Sequence, residues 1–167
     1  IGQLNADPKG SFVLSEGKIL EVSGYLRQGS SVSDTCTNII KGSILTSGTA
    51  YVSFYGGVNV LGNSDVIFGG ENGRFTVSKD LIVYLDSASS IFTINSPVTA
   101  DNFVLYRGHV ELNKQINSVK DIVLLEVRVD LNIDTPLVYQ EEIEFLLVAD
   151  NHGDVVNSGF LKLTDLA

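Results

Sequence analysis

The chemistry this sequence could carry rests on two histidines, one cysteine, a few acidic clusters and six tyrosines. A Ser-His-Asp relay or an imidazole metal site must recruit His109 or His152, and neither sits in a supporting motif. His109 follows Tyr106-Arg107-Gly108, the pattern of a kinked strand, and reads as an ordinary surface or edge histidine. Asp150-Asn151-His152-Gly153-Asp154 gathers oxygen ligands around a glycine but lacks the downstream Glu that closes an EF-hand loop, so a turn is the simpler reading. Glu141, Glu142 and Glu144 offer a glycosidase-like carboxylate pair on paper, yet alternate acids on a strand usually form a solvated face. Cys36 lies in polar Ser33-Asp34-Thr35-Cys36-Thr37-Asn38 with no His nearby in sequence. It reads as a small structural or loop residue in preference to an activated thiol or an intermolecular bridge.

Motifs that would organise these groups into a catalyst are missing. The sequence has no Gly-x-Ser-x-Gly elbow, no His-Glu-x-x-His, no Cys-x-x-Cys and no phosphate loop. Gly69-Gly70-Glu71-Asn72-Gly73 joins strand to strand, whereas a dinucleotide loop joins strand to helix. The expectation is a non-enzymatic protein with no catalytic residue, no cofactor and no metal. Recognition is the remaining chemistry: Tyr25, Tyr51, Tyr55 or Tyr106 could stack on sugars, although the sequence lacks Trp, the usual platform, and tyrosines serve equally in cores and interfaces.

The elements that must position such residues are strands. At 167 residues the chain suits one domain with a sizeable core. Its 44% hydrophobic and 19% charged composition, with 16 Gly, favours strands and turns over helices. A formal charge of −9 repels phosphate backbones, which argues against nucleic acid as a partner. No apolar run reaches the ~20 residues of a membrane-spanning helix, so no membrane insertion is expected. The chain opens at Ile1 without a basic-then-apolar signal pattern, as a processed product or fragment would.

Period two marks the strands. Leu125, Val127, Val129, Leu131 and Ile133 alternate with Glu126, Arg128, Asp130 and Asn132, where a helix would set Leu125 and Val127 about 200° apart and split the apolar face. Further strands are expected at Lys18 to Leu26, Asn38 to Leu45, Ala50 to Tyr55, Asp65 to Phe68, Arg74 to Val77, Leu81 to Leu85, Ser90 to Ile94, Phe103 to Leu112, Glu142 to Val148 and Phe160 to Leu163. Gly56-Gly57, Gly62-Asn63, Gly69-Gly70, Asn72-Gly73 and Asn151-His152-Gly153 supply turn residues suited to hairpin loops and bulges. Short strands at this spacing imply a sandwich, a jelly roll or a solenoid. The segment 1–33, ending in Gly29 to Ser33, reads as an arm or stalk connection ahead of a domain at 34–167, or else as edge strands of that domain.

The order of landmarks after Thr37 resembles the jelly roll of tumour necrosis factor and the complement globular heads. The counterparts are Gly73-Arg74-Phe75-Thr76-Val77, then Phe103 to Leu112, then Ser158-Gly159-Phe160-Leu161, with Leu125 to Ile133 and Glu141 to Leu147 similar to the family's late strands. The resemblance implies an antiparallel jelly-roll sandwich with an extended N-terminal arm, assembled as a homotrimer. It further implies an extracellular or virion-surface head domain that meets a protein or glycan receptor or a neighbouring capsid or stalk protein. Two other readings stand beside it. Ile44 to Phe68, with short strands punctuated by Gly and Asn, suits a β-solenoid fragment of a secreted bacterial adhesin, although no fixed period of about 20 residues carries through and strands lengthen toward the C-terminus. The tyrosines suit a carbohydrate-binding β-sandwich module.

Overall fold

A computed structural model describes residues 2–6, 10–30, 36–70, 72–87, 89–114, 116–118, 122–131, 143–145 and 155–157. The alternation read from sequence becomes strands, wound in successive turns. The first turn holds β1 (Gln3–Ala6), β2 (Val13–Leu14) and β3 (Ile19–Val22); the second, β4 (Tyr25–Gln28), β5 (Thr37–Ile40) and β6 (Ser43–Thr46). The third holds β7 (Tyr51–Phe54), β8 (Gly57–Gly62) and β9 (Val66–Phe68); the fourth, β10 (Arg74–Val77), β11 (Leu81–Leu85) and β12 (Ile91–Ile94). Then follow β13 (Val98–Ala100), β14 (Phe103–Leu112), β15 (Ile116–Ser118), β16 (Ile122–Leu131), β17 (Ile143–Phe145) and β18 (Val155–Asn157).

Each strand pairs in parallel with its counterpart one turn away. Sheet 1 runs β1-β4-β7-β10-β13-β15. A second path runs β2-β5-β8-β11-β14-β12-β9-β6-β3, up one face and down another. It is joined because β14 is long enough to pair with β11 through Phe103 to Arg107 and with β12 through His109 to Leu112. β2, β5, β8 and β11 are therefore called face 2, and β3, β6, β9 and β12 face 3. The result is a β-solenoid of about four turns.

Stacked inward side chains fill the tube. On sheet 1 the register sets Leu26, Val52, Phe75, Val98 and Ile116 in one column, all buried. Ile40, Val60, Val83 and Leu105 form the column behind face 2, and Ile44, Phe68, Ile94 and Leu112 that behind face 3. Phe68 locks faces together across the lumen, stacked on Phe75 at 5.0 Å and edge-on to Phe92 at 4.9 Å.

These pairings overturn the antiparallel jelly-roll sandwich and the family resemblance behind it. Alternation says which residues face inward and nothing of strand direction, so a parallel solenoid and an antiparallel sandwich share it. Arg74 to Val77, within the counterpart Gly73 to Val77, is strand β10, but it lies parallel to β7 and β13. Leu125 to Leu131 belongs to β16, parallel to β14, while Ile133 and Ser158 to Leu161 lie outside the described residues. Lys18 to Leu26 and Asn38 to Leu45, expected as single strands, are each two strands on different faces, broken at Ser23-Gly24 and Lys41-Gly42. Gly56-Gly57, Gly62-Asn63 and Gly69-Gly70 turn corners where hairpins were expected. Strands β1 to β4, within the segment expected as an extended arm, are hydrogen-bonded into the same sheets.

The missing fixed period also has a physical reason. Register steps from Gln3 to Tyr25 to Tyr51 to Arg74, and from Phe75 to Val98 to Ile116, so turn length varies from 26 residues down to 18. Length changes at corners, outside the stacked columns. The largest saving comes where β14 runs straight through a corner that the previous turn makes between Leu85 and Ile91. Tyr106 is the extra residue of a bulge there, since Val83 pairs with Leu105 but Tyr84 with Arg107. Gly108 follows at φ 117°, and a Cβ on it would lie 2.9 Å from the Leu85 Cβ, so only glycine fits the bend. This is the kink the sequence marks beside His109.

Candidate functional site

Polar groups at the corners are engaged within the fold. Between sheet 1 and face 2 the inward amides of Gln28 and Asn38 are fully buried. Asn38 Nδ2 donates to Gln28 Oε1 at 3.1 Å and to the Gly57 carbonyl at 3.0 Å, while Asn38 Oδ1 accepts the Phe12 N–H at 2.9 Å. Gln28 Nε2 donates to the Gly10 carbonyl and to Cys36 Sγ, each at 2.9 Å. At another corner Ser96 Oγ bonds Thr46 Oγ1, the Gly70 N–H and the Gly70 carbonyl. Outside, Glu16 Oε1 accepts the Asn63 N–H at 2.8 Å and the Ser64 hydroxyl at 3.1 Å, which together hold its carboxyl below the usual carboxylate range.

The outward side of sheet 1 is built differently. Alternation with buried Leu26, Val52 and Phe75 turns two rows of side chains outward, Gln3, Tyr25, Tyr51 and Arg74 in one, and Asn5, Arg27, Thr76 and Thr99 in the other, where Ser53 lies covered between Arg27 and Thr76. The Arg74 guanidinium lies 4.8 Å over the Tyr51 ring. The Arg27 guanidinium lies 5.0 Å over the Tyr55 ring and donates to its hydroxyl at 3.3 Å, while Arg27 Nε is buried with no hydrogen-bond partner among the described residues. Asn5 Nδ2 donates to the Tyr25 hydroxyl at 3.1 Å. The six strands of sheet 1 contain no Asp or Glu, and among the described residues neither guanidinium meets a carboxylate. A guanidinium lying over a phenol ring still has N–H groups to donate to an anion such as a carboxylate or a sulfate.

A third pair continues the pattern on β14, where Arg107 lies 6.0 Å over the Tyr84 ring and Tyr106 tilts against Tyr84 at 6.0 Å. Arg27–Tyr55, Arg74–Tyr51 and Arg107–Tyr84 each join consecutive turns. Of the four tyrosines singled out in sequence, the structure places Tyr25, Tyr51 and Tyr55 at sheet 1 and Tyr106 at the bulge. The arginines carry no signal in the sequence, because a partner one turn away is visible only once turn length is known.

The other sequence candidates do not converge. His109 stands on β14 next to face 3, with Nε2 4.0 Å from Glu111 Oε1, whereas Cys36 sits at the corner of sheet 1 and face 2. Cys36 lines an open cleft of about 400 Å³ with Thr37, Gly57, Asn59, Lys79, Asp80 and Ile82. Asp80 there accepts from Asn102 Nδ2 at 2.8 Å. Among the described residues no three His, Cys, Asp or Glu side chains gather as metal ligands would. Glu144 falls in β17, and Glu141, Glu142 and Asp150 to Asp154, with His152, lie outside the described residues. No family model, curated protein or solved structure matches the chain.

Proposed function

We propose that the chain is a non-enzymatic β-solenoid segment of an extracellular or surface protein of the adhesin kind, which presents outward side chains to a ligand. The observation that carries this reading is the division of polar groups. Those in the corners (Gln28, Asn38, Ser96, Glu16) are engaged with backbone or with one another, whereas the outward rows of sheet 1 offer tyrosine rings and guanidiniums that meet no carboxylate among the described residues. Such a division suits a rigid rod that displays a surface. The homotrimeric head followed from the jelly-roll resemblance and loses its support with that fold.

Retention of the purified chain on a panel of immobilised polysaccharides and matrix proteins, with release of reducing ends followed in parallel, tests the reading. Retention without product release is expected. Turnover of any polysaccharide, or retention on no surface, would contradict it.

A further inference from the structure

We propose that the outward rows of sheet 1 bind a linear acidic polysaccharide, with Arg27 and Arg74 each taking a carboxylate or sulfate of the polymer. The inference rests on the binding role proposed above and names its ligand class.

Charge is the first argument. On a chain of net charge −9, the strands of sheet 1 bear two arginines and no acid, while Glu21 and Glu111 belong to β3 and β14 and Glu16, Asp65, Asp80, Asp86 and Asp101 to corners between strands. Such a face attracts anions locally on a molecule that repels them at long range. Preorganisation is the second. Arg27 is held by the Tyr55 ring and hydroxyl and Arg74 rests on the Tyr51 ring, contacts that restrict both side chains before an anion docks.

Spacing decides among polyanions. Arg27 on β4 and Arg74 on β10 lie two turns apart, and both side chains reach to rings of the intervening turn, Tyr55 and Tyr51, which are four residues or about 13 Å of extended chain apart. A nucleic acid strand carries a charge about every 3.4 Å, and most of its phosphates would face this molecule unneutralised. A polysaccharide with an acid group on every one or two sugars has sparser charge. Its ring faces suit the phenol of Tyr25, in register beside Tyr51, and its hydroxyls suit the amides of Gln3 and Asn5 in the same rows. The surface is an open sheet rather than a closed pocket, which fits a polymer lying along it.

Affinity electrophoresis of the full chain through polygalacturonate, alginate, chondroitin sulfate or heparin, with dextran and laminarin as neutral gels, provides the test. At least one acidic polymer should retard the protein, neutral ones should not, and raised ionic strength should weaken the effect. The double variant Arg27→Gln/Arg74→Gln should lose affinity by about tenfold or more, and Arg27→Lys should fall between because it keeps charge without the planar fork. Arg74→Gln alone, at an exposed residue, should bind more weakly with an unchanged circular dichroism spectrum, which separates lost binding from lost folding. No retardation by any acidic polymer, equal retardation by neutral ones, or full affinity in the double variant would overturn the proposal. Retention on a neutral glycan or a matrix protein that survives both substitutions would overturn it while leaving the adhesin reading intact. Retention on nothing would overturn both.

Discussion

The two sides of sheet 1 obey different rules. Inside, each turn repeats the last: Leu26, Val52, Phe75, Val98 and Ile116 stack like on like, and each position is constrained by the turns on either side. Outside, neighbours in register differ, and contacts such as Arg74 over Tyr51 join side chains that share no strand. The inside therefore carries the fold through repetition, and the outside is free to carry chemistry. Substitutions on the two sides should separate accordingly.

The largest effect is expected inside. Phe75→Ala removes a buried ring that packs on Phe68 in the lumen, and should lower stability by about 3–5 kcal/mol in urea unfolding. A loss under about 1 kcal/mol would mean that the column is not tightly packed. Asn38→Ala comes next: it removes the fully buried side chain that accepts the Phe12 N–H and donates to the Gly57 carbonyl and Gln28 Oε1, at a cost of about 1–3 kcal/mol in the same assay.

Glu16, on the exposed side, should matter least. Its folded carboxyl titrates below its unfolded value, so the stabilisation is present above the unfolded pKa and is lost as pH falls through the folded one. Urea midpoints measured across the acid range should fall less steeply in Glu16→Gln than in the wild type. Identical slopes would remove the Asn63–Ser64 bonds from the account.

The sequence made much of the inside legible and little of the outside. Arg74 to Val77, Leu81 to Leu85 and Phe103 to Leu112 were expected with the bounds the structure shows, because alternation marks an inward column whatever its partner. Gly57 to Gly62 is a strand with Val58 and Val60 in the core, although Gly56-Gly57 and Gly62-Asn63 at its ends read as turns in the sequence. Strand direction was hidden, since period two is common to parallel and antiparallel sheets. Corners hid as well: alternating residues continue through Lys41-Gly42, where the chain passes from face 2 to face 3. With turns of unequal length, Arg27 and Tyr55, or Arg74 and Tyr51, share no recognisable interval, and the outward pairs emerge only from register.

Parallel register is the claim on which the rest depends, and cross-strand nuclear Overhauser effects test it most directly. The solenoid predicts parallel-type contacts between Val52 and Phe75 and between Phe75 and Val98, together with Leu105 beside Val83 and Val110 beside Phe92. Close Hα–Hα contacts between non-hydrogen-bonded pairs, the mark of antiparallel strands, along β10 or β14 would contradict it.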